Sequence, residues 1–227
     1  MTADAPALPK PSATVVPLRD APEGLEVLLL QRAKRDRSGT GHWVFPGGKI
    51  EAGDGAVDPD SVLEAARAAG ARETWEEAGL RLRGEDLGLI SRWITPPMSP
   101  KRFDTWFFAV QVDPDMEIRV DGKEIRTHAW FVPENALSAF HEGEIRLVPP
   151  TFVTLSWLAE YPDCASALAG LVRESVPAIE PRICPVEGGA CMLSPGDAGY
   201  EDGDPDRPGG RNRIWSEAGK LRYEHYE

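Results

Sequence analysis

The chain has 227 residues, 41% of them hydrophobic, which is enough to bury one sizeable core with extensions. A formal net charge of −12 excludes the basic face that a nucleic-acid backbone requires, although a metal can still bridge an acidic protein to an acidic small substrate. Three irregularly spaced cysteines, Cys164, Cys184 and Cys191, exclude a disulfide framework and lack the His and Cys company of a zinc site, so a reducing cytoplasm is the expected setting.

Residues 1–12 are rich in Ala and Pro without an apolar core, which argues against a secretory signal. No run of about 18 apolar residues is present to span a membrane, and residues 224–227 do not form a peroxisomal address. Two aliphatic runs, 13–18 and 25–31, flank the turn residues of 19–24 and predict a hairpin. Arg32 closes its second strand, and Lys34, Arg35 and Arg37 follow in a basic loop, either solvated or placed to hold phosphates. An apolar segment then runs from His42 into Pro46-Gly47-Gly48, where the missing proline donor and the glycines' access to positive φ allow a backbone group to be aimed at a ligand.

After a Gly- and Asp-rich stretch, Asp60 is placed to cap a helix over 61–78, with Gly79 as its stop and Gly70 as a position for a bend. Strands are expected at 87–95, 105–112 and 127–132, a short helix opening with 133–136, and helices at 149–159 and 165–174. Several strands with few helices predict an α+β fold, a mixed sheet sandwiched between helices. Residues 177–210 are dense in Pro, Gly and Asp, pointing to loops and short strands and away from a second core, and 213–223 reads as a terminal hairpin. A division into a domain at 13–160 and a loop-rich C-terminal extension at 161–227 follows.

The chemistry-bearing stretch is 71–80. At 100° per residue, Glu76 and Glu77 lie at roughly −60° and +40° from Glu73, so three carboxylates share one helix face. Two of them about 4 Å apart repel by roughly 4 kcal/mol at an effective dielectric near 20. A hard divalent cation would neutralise them, whereas a solvated acidic face is the alternative.

Together Gly48, Arg72, Glu73, Glu76, Glu77, Gly79 and Leu80 resemble the Nudix hydrolase box, in which a glycine, a glutamate and an Arg-Glu-aliphatic-X-Glu-Glu-X-Gly-aliphatic run recur. Thr74 stands where the box has an aliphatic residue. Arg72 follows Gly48 by 24 positions where the box gives 14, so about ten residues are inserted, and the box's first acid falls on either Asp54 or Glu64. The resemblance implies a Nudix-like fold and Mg²⁺- or Mn²⁺-dependent hydrolysis of a pyrophosphate bond. It further implies Glu73, Glu76, Glu77 and the Gly48 carbonyl as metal ligands and Arg72 as an orienting residue. Glu73 and Glu124 are both candidates for the general base, Glu124 being otherwise an exposed turn residue.

The stretches 91–97 and 101–105 resemble the Nudix branch of coenzyme A and acyl-coenzyme A diphosphatases, whose box is likewise interrupted. Arg32, Lys101, Arg102 and Phe103, with Trp106, are therefore candidate substrate contacts. Lys101 and Arg102 would suit the 3′-phosphate of coenzyme A, or would merely solubilise a strand edge. A different nucleotide substrate such as ADP-ribose or a dinucleotide, and a non-catalytic nucleotide sensor, are the alternatives. The expected partner is thus a small nucleotide diphosphate, with neither nucleic acid nor membrane; the oligomeric state is open, a homodimer included.

Overall fold

A computed structural model describes residues 6–33, 41–58 and 60–226. The chain divides into two compact units, a larger one of Pro11–Ser91 and Thr105–Val176 and a smaller one of Met1–Lys10, Arg92–Asp104 and Pro177–Glu227.

In the larger unit, β1 (Lys10–Ala21) and β2 (Gly24–Arg32) form the expected hairpin, its register running from Leu18↔Val27 to Ala21↔Gly24. The turn is shorter than the sequence implies, because Arg19 and Asp20 are themselves paired and only Pro22 and Glu23 are left to close it. β3 (Trp43–Val44) and β7 (Ile125–Phe131) pair antiparallel with β2, and β4 (Gly47–Lys49) pairs with β1. β5 (Gly88–Ile94) and β6 (Phe103–Gln111) complete the neighbour order β3-β2-β1-β6-β5. Val27, Leu28, Leu29 and Leu30 are all fully buried, so consecutive side chains are covered on opposite faces of the sheet.

One face is covered by α1 (Val62–Ala78), whose Ala66 and Ala69 join Ala13, Val15, Leu87, Leu89 and Phe108 in a core cluster. α1 runs unbroken through Gly70. A Cβ there would lie 2.9 Å from Val15 Cγ2, so the glycine permits close approach to β1. Thr74 is buried, and its hydroxyl donates to the Gly70 carbonyl at 2.7 Å, which satisfies the polar atom that replaces an aliphatic branch. The helix starts one residue later than expected. Ser61 is its N-cap, and Asp58 rather than Asp60 accepts from the nearby amides, those of Asp60 and Ser61. Gly79 ends it with φ 71°, as expected of a left-handed stop. α2 (Pro133–Glu142) touches β2 and packs on α3 (Pro149–Leu158) through Phe140 and Phe152, and α4 (Cys164–Leu171) follows.

In the smaller unit, the end of β5 pairs in parallel with β8 (Ala178–Ile179), Arg92 opposite Ala178, which makes the sheet mixed. A separate antiparallel sheet runs β12-β11-β10-β9, from β9 (Arg182–Val186), β10 (Gly189–Leu193), β11 (Arg211–Glu217) and β12 (Lys220–Tyr226). The terminal hairpin is as expected, but the absence of a second core is not. Cys184, Cys191 and Leu193 form a buried cluster with Val186, Tyr200 and Trp215 packed on it. Beside them Asp197 accepts from Arg213 Nε at 2.7 Å and Nη2 at 2.6 Å, both side chains being essentially inaccessible. The Pro, Gly and Asp that suggested loops sit in the turns and in this charged core. Among the described residues no helix is long and apolar enough to cross a membrane.

Candidate active site

Glu73, Glu76 and Glu77 occupy the last turns of α1, and β4 lies directly against them. Gly47 and Gly48 are not a turn: they are strand residues, Gly47 opposite Thr14 and Gly48 opposite Ala13. Their glycine character answers to crowding, with no positive φ involved. A Cβ on Gly47 would collide with Ala13 and Thr14, and one on Gly48 would fall inside the Glu73 carboxylate. The missing side chain of Gly48 therefore lets Glu73 reach the strand, and that of Gly47 lets β4 lie close on β1.

Each carboxylate has a distinct environment. Glu77 is buried, accepts from the Gly47 amide at 2.9 Å, and has Arg32 at 3.7 Å. Burial pushes its pKa up to about 7, with the Gly47 amide and Arg32 opposing and the charges of Glu73 and Glu124 adding. Burial likewise raises the pKa of Glu73, against the pull of Arg72. Glu76 is more than half exposed.

Arg72 organises the cluster. Its Nη1 donates to Glu73 at 2.9 Å and to Glu76 at 3.3 Å, and its Nη2 donates to the Lys49 carbonyl at 3.0 Å. Nε and Nη2 also grip Asp54 in a fork, both bonds at 2.9 Å. That fork holds the Asp54 pKa below its usual value and raises that of Arg72. Glu64, the other candidate for this position, is largely exposed and reaches Arg67 instead. Asp54 is thus the acid that meets Arg72, and the inserted residues fall after it.

Arg32 reaches the site from the end of β2, where the ladder with β7 shifts register after Gln31 and Nη2 approaches the Gly47 carbonyl at 3.4 Å. Glu124, exposed just before β7, is held through its carbonyl by the Ala33 amide at 2.6 Å, and its charge is felt at Glu77. Gly47, expected in a turn that aims a backbone group at a ligand, instead gives its amide to Glu77 from within a strand.

Lys101, Arg102 and Phe103 belong to the smaller unit. Arg102 is buried and donates to the Thr95 and Ala7 carbonyls at 2.8 and 3.0 Å and to Glu180 at 2.5 Å. Neither a phosphate contact nor a solubilising edge anticipates that placement. Lys101 is exposed, and the Phe103 amide donates to Thr95 Oγ1 at 3.0 Å. Trp106 is packed in the main core, while Lys34, Arg35 and Arg37 lie outside the described residues.

The donor set is one of hard oxygens that suits a hard divalent cation: a buried carboxylate at Glu77, a half-buried one at Glu73 and the exposed Glu76. Among the described residues no three acidic, His or Cys side chains already form a cage for a metal ion. Arg72 and the Gly47 amide hold these carboxylates, and the several lone pairs of a carboxylate let it keep such a donor while it ligates a cation.

A NUDIX domain model matches residues 8–151, more than half of the chain. The chain belongs to the NUDIX family. Among curated proteins it is 30% identical over 131 residues to the acyl-coenzyme A diphosphatase NUDT19 of Xenopus laevis, covering 55% of this chain and 34% of that one. To human NUDT19 it is 32% identical over 120 residues, or 50% of this chain and 32% of the relative. The matched part spans about a third of the length of these relatives. A solved NUDIX hydrolase from Alicyclobacillus acidocaldarius superposes with a TM-score of 0.63 at 27% identity, covering 73% of this chain and 98% of that structure.

Proposed function

We propose that this chain hydrolyses the pyrophosphate bond of a nucleoside-diphosphate-linked substrate, coenzyme A or an acyl-coenzyme A, with Mg²⁺ or Mn²⁺ as cofactor. The observation that carries the reading is the seating of Glu73 in the space that Gly48 leaves and of Glu77 on the Gly47 amide. The named activity of the NUDT19 relatives supports the substrate class.

Glu73, Glu76, Glu77 and the Gly48 carbonyl would hold the cation. When bound, it neutralises phosphate oxygens and acidifies the attacking water. The protein's own residues supply position and proton transfer. Asp54 fixes the Arg72 guanidinium, and Arg72 in turn orients Glu73 and Glu76. Arg32, half exposed beside Glu77, presents a guanidinium to a phosphate. Water attacks phosphorus, its proton passes to a carboxylate, and the anhydride P–O bond breaks; Glu124, at the rim and outside the Arg72 network, is the base we assign.

The test is turnover of a diphosphate panel by the full chain with and without Mg²⁺. Glu77→Gln is expected to lower kcat on the order of a hundredfold or more while the circular dichroism spectrum is unchanged. Full activity in that variant removes the ligand assignment. Glu124→Gln is expected to lower kcat with Mg²⁺ affinity retained, and an unaltered kcat would return the base role to Glu73.

A further inference from the structure

Residues 121–124 are all exposed, and a carboxylate carried on such a stretch keeps one position only if its backbone is held. Both flanks of the stretch are anchored. Before it, the Arg119 amide donates to the Ala78 carbonyl at 2.8 Å, pinning the segment to the end of α1. Ile118 and Val120 pack on the cluster of Leu28, Leu30, Ala78, Leu80 and Ile125. After it, Ile125 is fully buried in that same cluster and pairs with Arg32, whose guanidinium lies 3.7 Å from Glu77. Thr127 pairs with Gln31, so Arg126 is the extra residue of a bulge, a device that re-aims a strand beside a site.

Between the two anchors Asp121 takes over. Gly122 turns the chain with a left-handed φ of 70°, and the Asp121 carboxylate then receives successive amides. Lys123 donates to Oδ1 at 3.1 Å, Glu124 to Oδ2 at 3.0 Å and Ile125 to Oδ1 at 2.9 Å. An aspartate that only shapes a turn needs one such bond, to the amide two residues on. The bonds to Glu124 and Ile125 exceed that need. Because the Ala33 amide takes the Glu124 carbonyl at 2.6 Å, both backbone polar groups of Glu124 are fixed.

A general base acts only within about 3 Å of the proton it takes, and a misplacement of about 1 Å can cost on the order of a hundredfold in rate. An exposed glutamate therefore serves as a base only where something fixes its main chain. We propose that Asp121 is a positioning residue, which fixes the backbone that carries Glu124 beside Arg32. This deepens the hydrolase reading and rests on it for the role of Glu124 as base.

The experiment compares the full chain with Asp121→Ala, Asp121→Asn, Glu124→Gln and the double variant of Asp121→Ala and Glu124→Gln. One readout, hydrogen exchange of the Lys123, Glu124 and Ile125 amides by NMR, needs neither metal nor substrate. Asp121→Ala is expected to speed it about tenfold or more, as loss of bonds to a charged group implies, while the amides of α1 exchange as in the parent. Asp121→Asn keeps Oδ1 for Lys123 and Ile125 and should speed the Glu124 amide alone. The other readout is kcat on a diphosphate with Mg²⁺. Asp121→Ala is expected to lower it about tenfold at unchanged Mg²⁺ affinity, and to lower it no further in the Glu124→Gln background. Unchanged exchange in Asp121→Ala overturns the proposal. In an active parent, no loss of kcat, or an equal loss in both backgrounds, also overturns it. A parent that turns over no diphosphate, with exchange altered as expected, would sink the hydrolase reading alone.

Discussion

At the scale of single residues, Asp54 and Glu77 illustrate how surroundings assign roles to chemically similar carboxylates. Asp54 sits in a two-bond fork with Arg72, so its charge is favoured, whereas Glu77 is buried with one amide and a guanidinium 3.7 Å away, so its charge is resisted. Substituting Asp54→Asn frees Arg72 and is expected to lower activity about 10- to 100-fold, the usual effect of losing a group that orients a ligand. Glu64→Gln should leave activity unchanged, and a comparable loss in the two variants would contradict the pairing seen here. The raised pKa of Glu77, about 7 against 4.5 for the ordinary side chain, gives a signed pH effect. The proton is held more tightly in the folded, metal-free protein, so the associated stability is full below about 4.5 and is lost as pH rises through 7. A cation needs the carboxylate ionised, so Mg²⁺ is expected to bind on the order of tenfold more weakly at pH 5.5 than at 7.5, as measured by calorimetry. A pH-independent affinity would remove Glu77 from the ligand set.

At the scale of elements, α1 depends on backbone proximity more than on intrinsic helix preference. Gly70→Ala would gain about 1 kcal/mol of helix propensity. The new methyl would also meet Val15 Cγ2 at 2.9 Å, between a helix and a strand that are both buried there, and overpacking of this kind costs about 1–3 kcal/mol. The clash is the larger effect. A net destabilisation is therefore expected in urea unfolding, with stabilisation as the contrary result. Gly48 is subject to a similar constraint from the other side, since the room its missing side chain leaves is filled by Glu73.

At the scale of the whole molecule, the smaller unit has a core of its own although its sequence reads as turns. Asp197 receives the Arg213 fork and also the amides of Gly199 and Asn212, both at 2.9 Å, so the buried charge is fully hydrogen-bonded. Removing one partner strands the other, and Arg213→Met is expected to cost about 3–5 kcal/mol in the unfolding of this sheet, followed through the fluorescence of nearby Trp215. A loss below about 1 kcal/mol would mean that the pair is dispensable.

Helical periodicity alone placed Glu73, Glu76 and Glu77 on one face, and aliphatic runs between turn residues placed the main strands, because both are properties of local backbone geometry that any chain with this pattern shares. The hairpin and the Gly79 stop were legible for the same reason. Tertiary structure alone decided between Asp54 and Glu64, turned the double glycine from a turn into a strand, buried Arg102 and gave residues 177–227 a charged core. Each of these depends on which groups meet across long separations in sequence, and such encounters are set by packing, which no local pattern encodes.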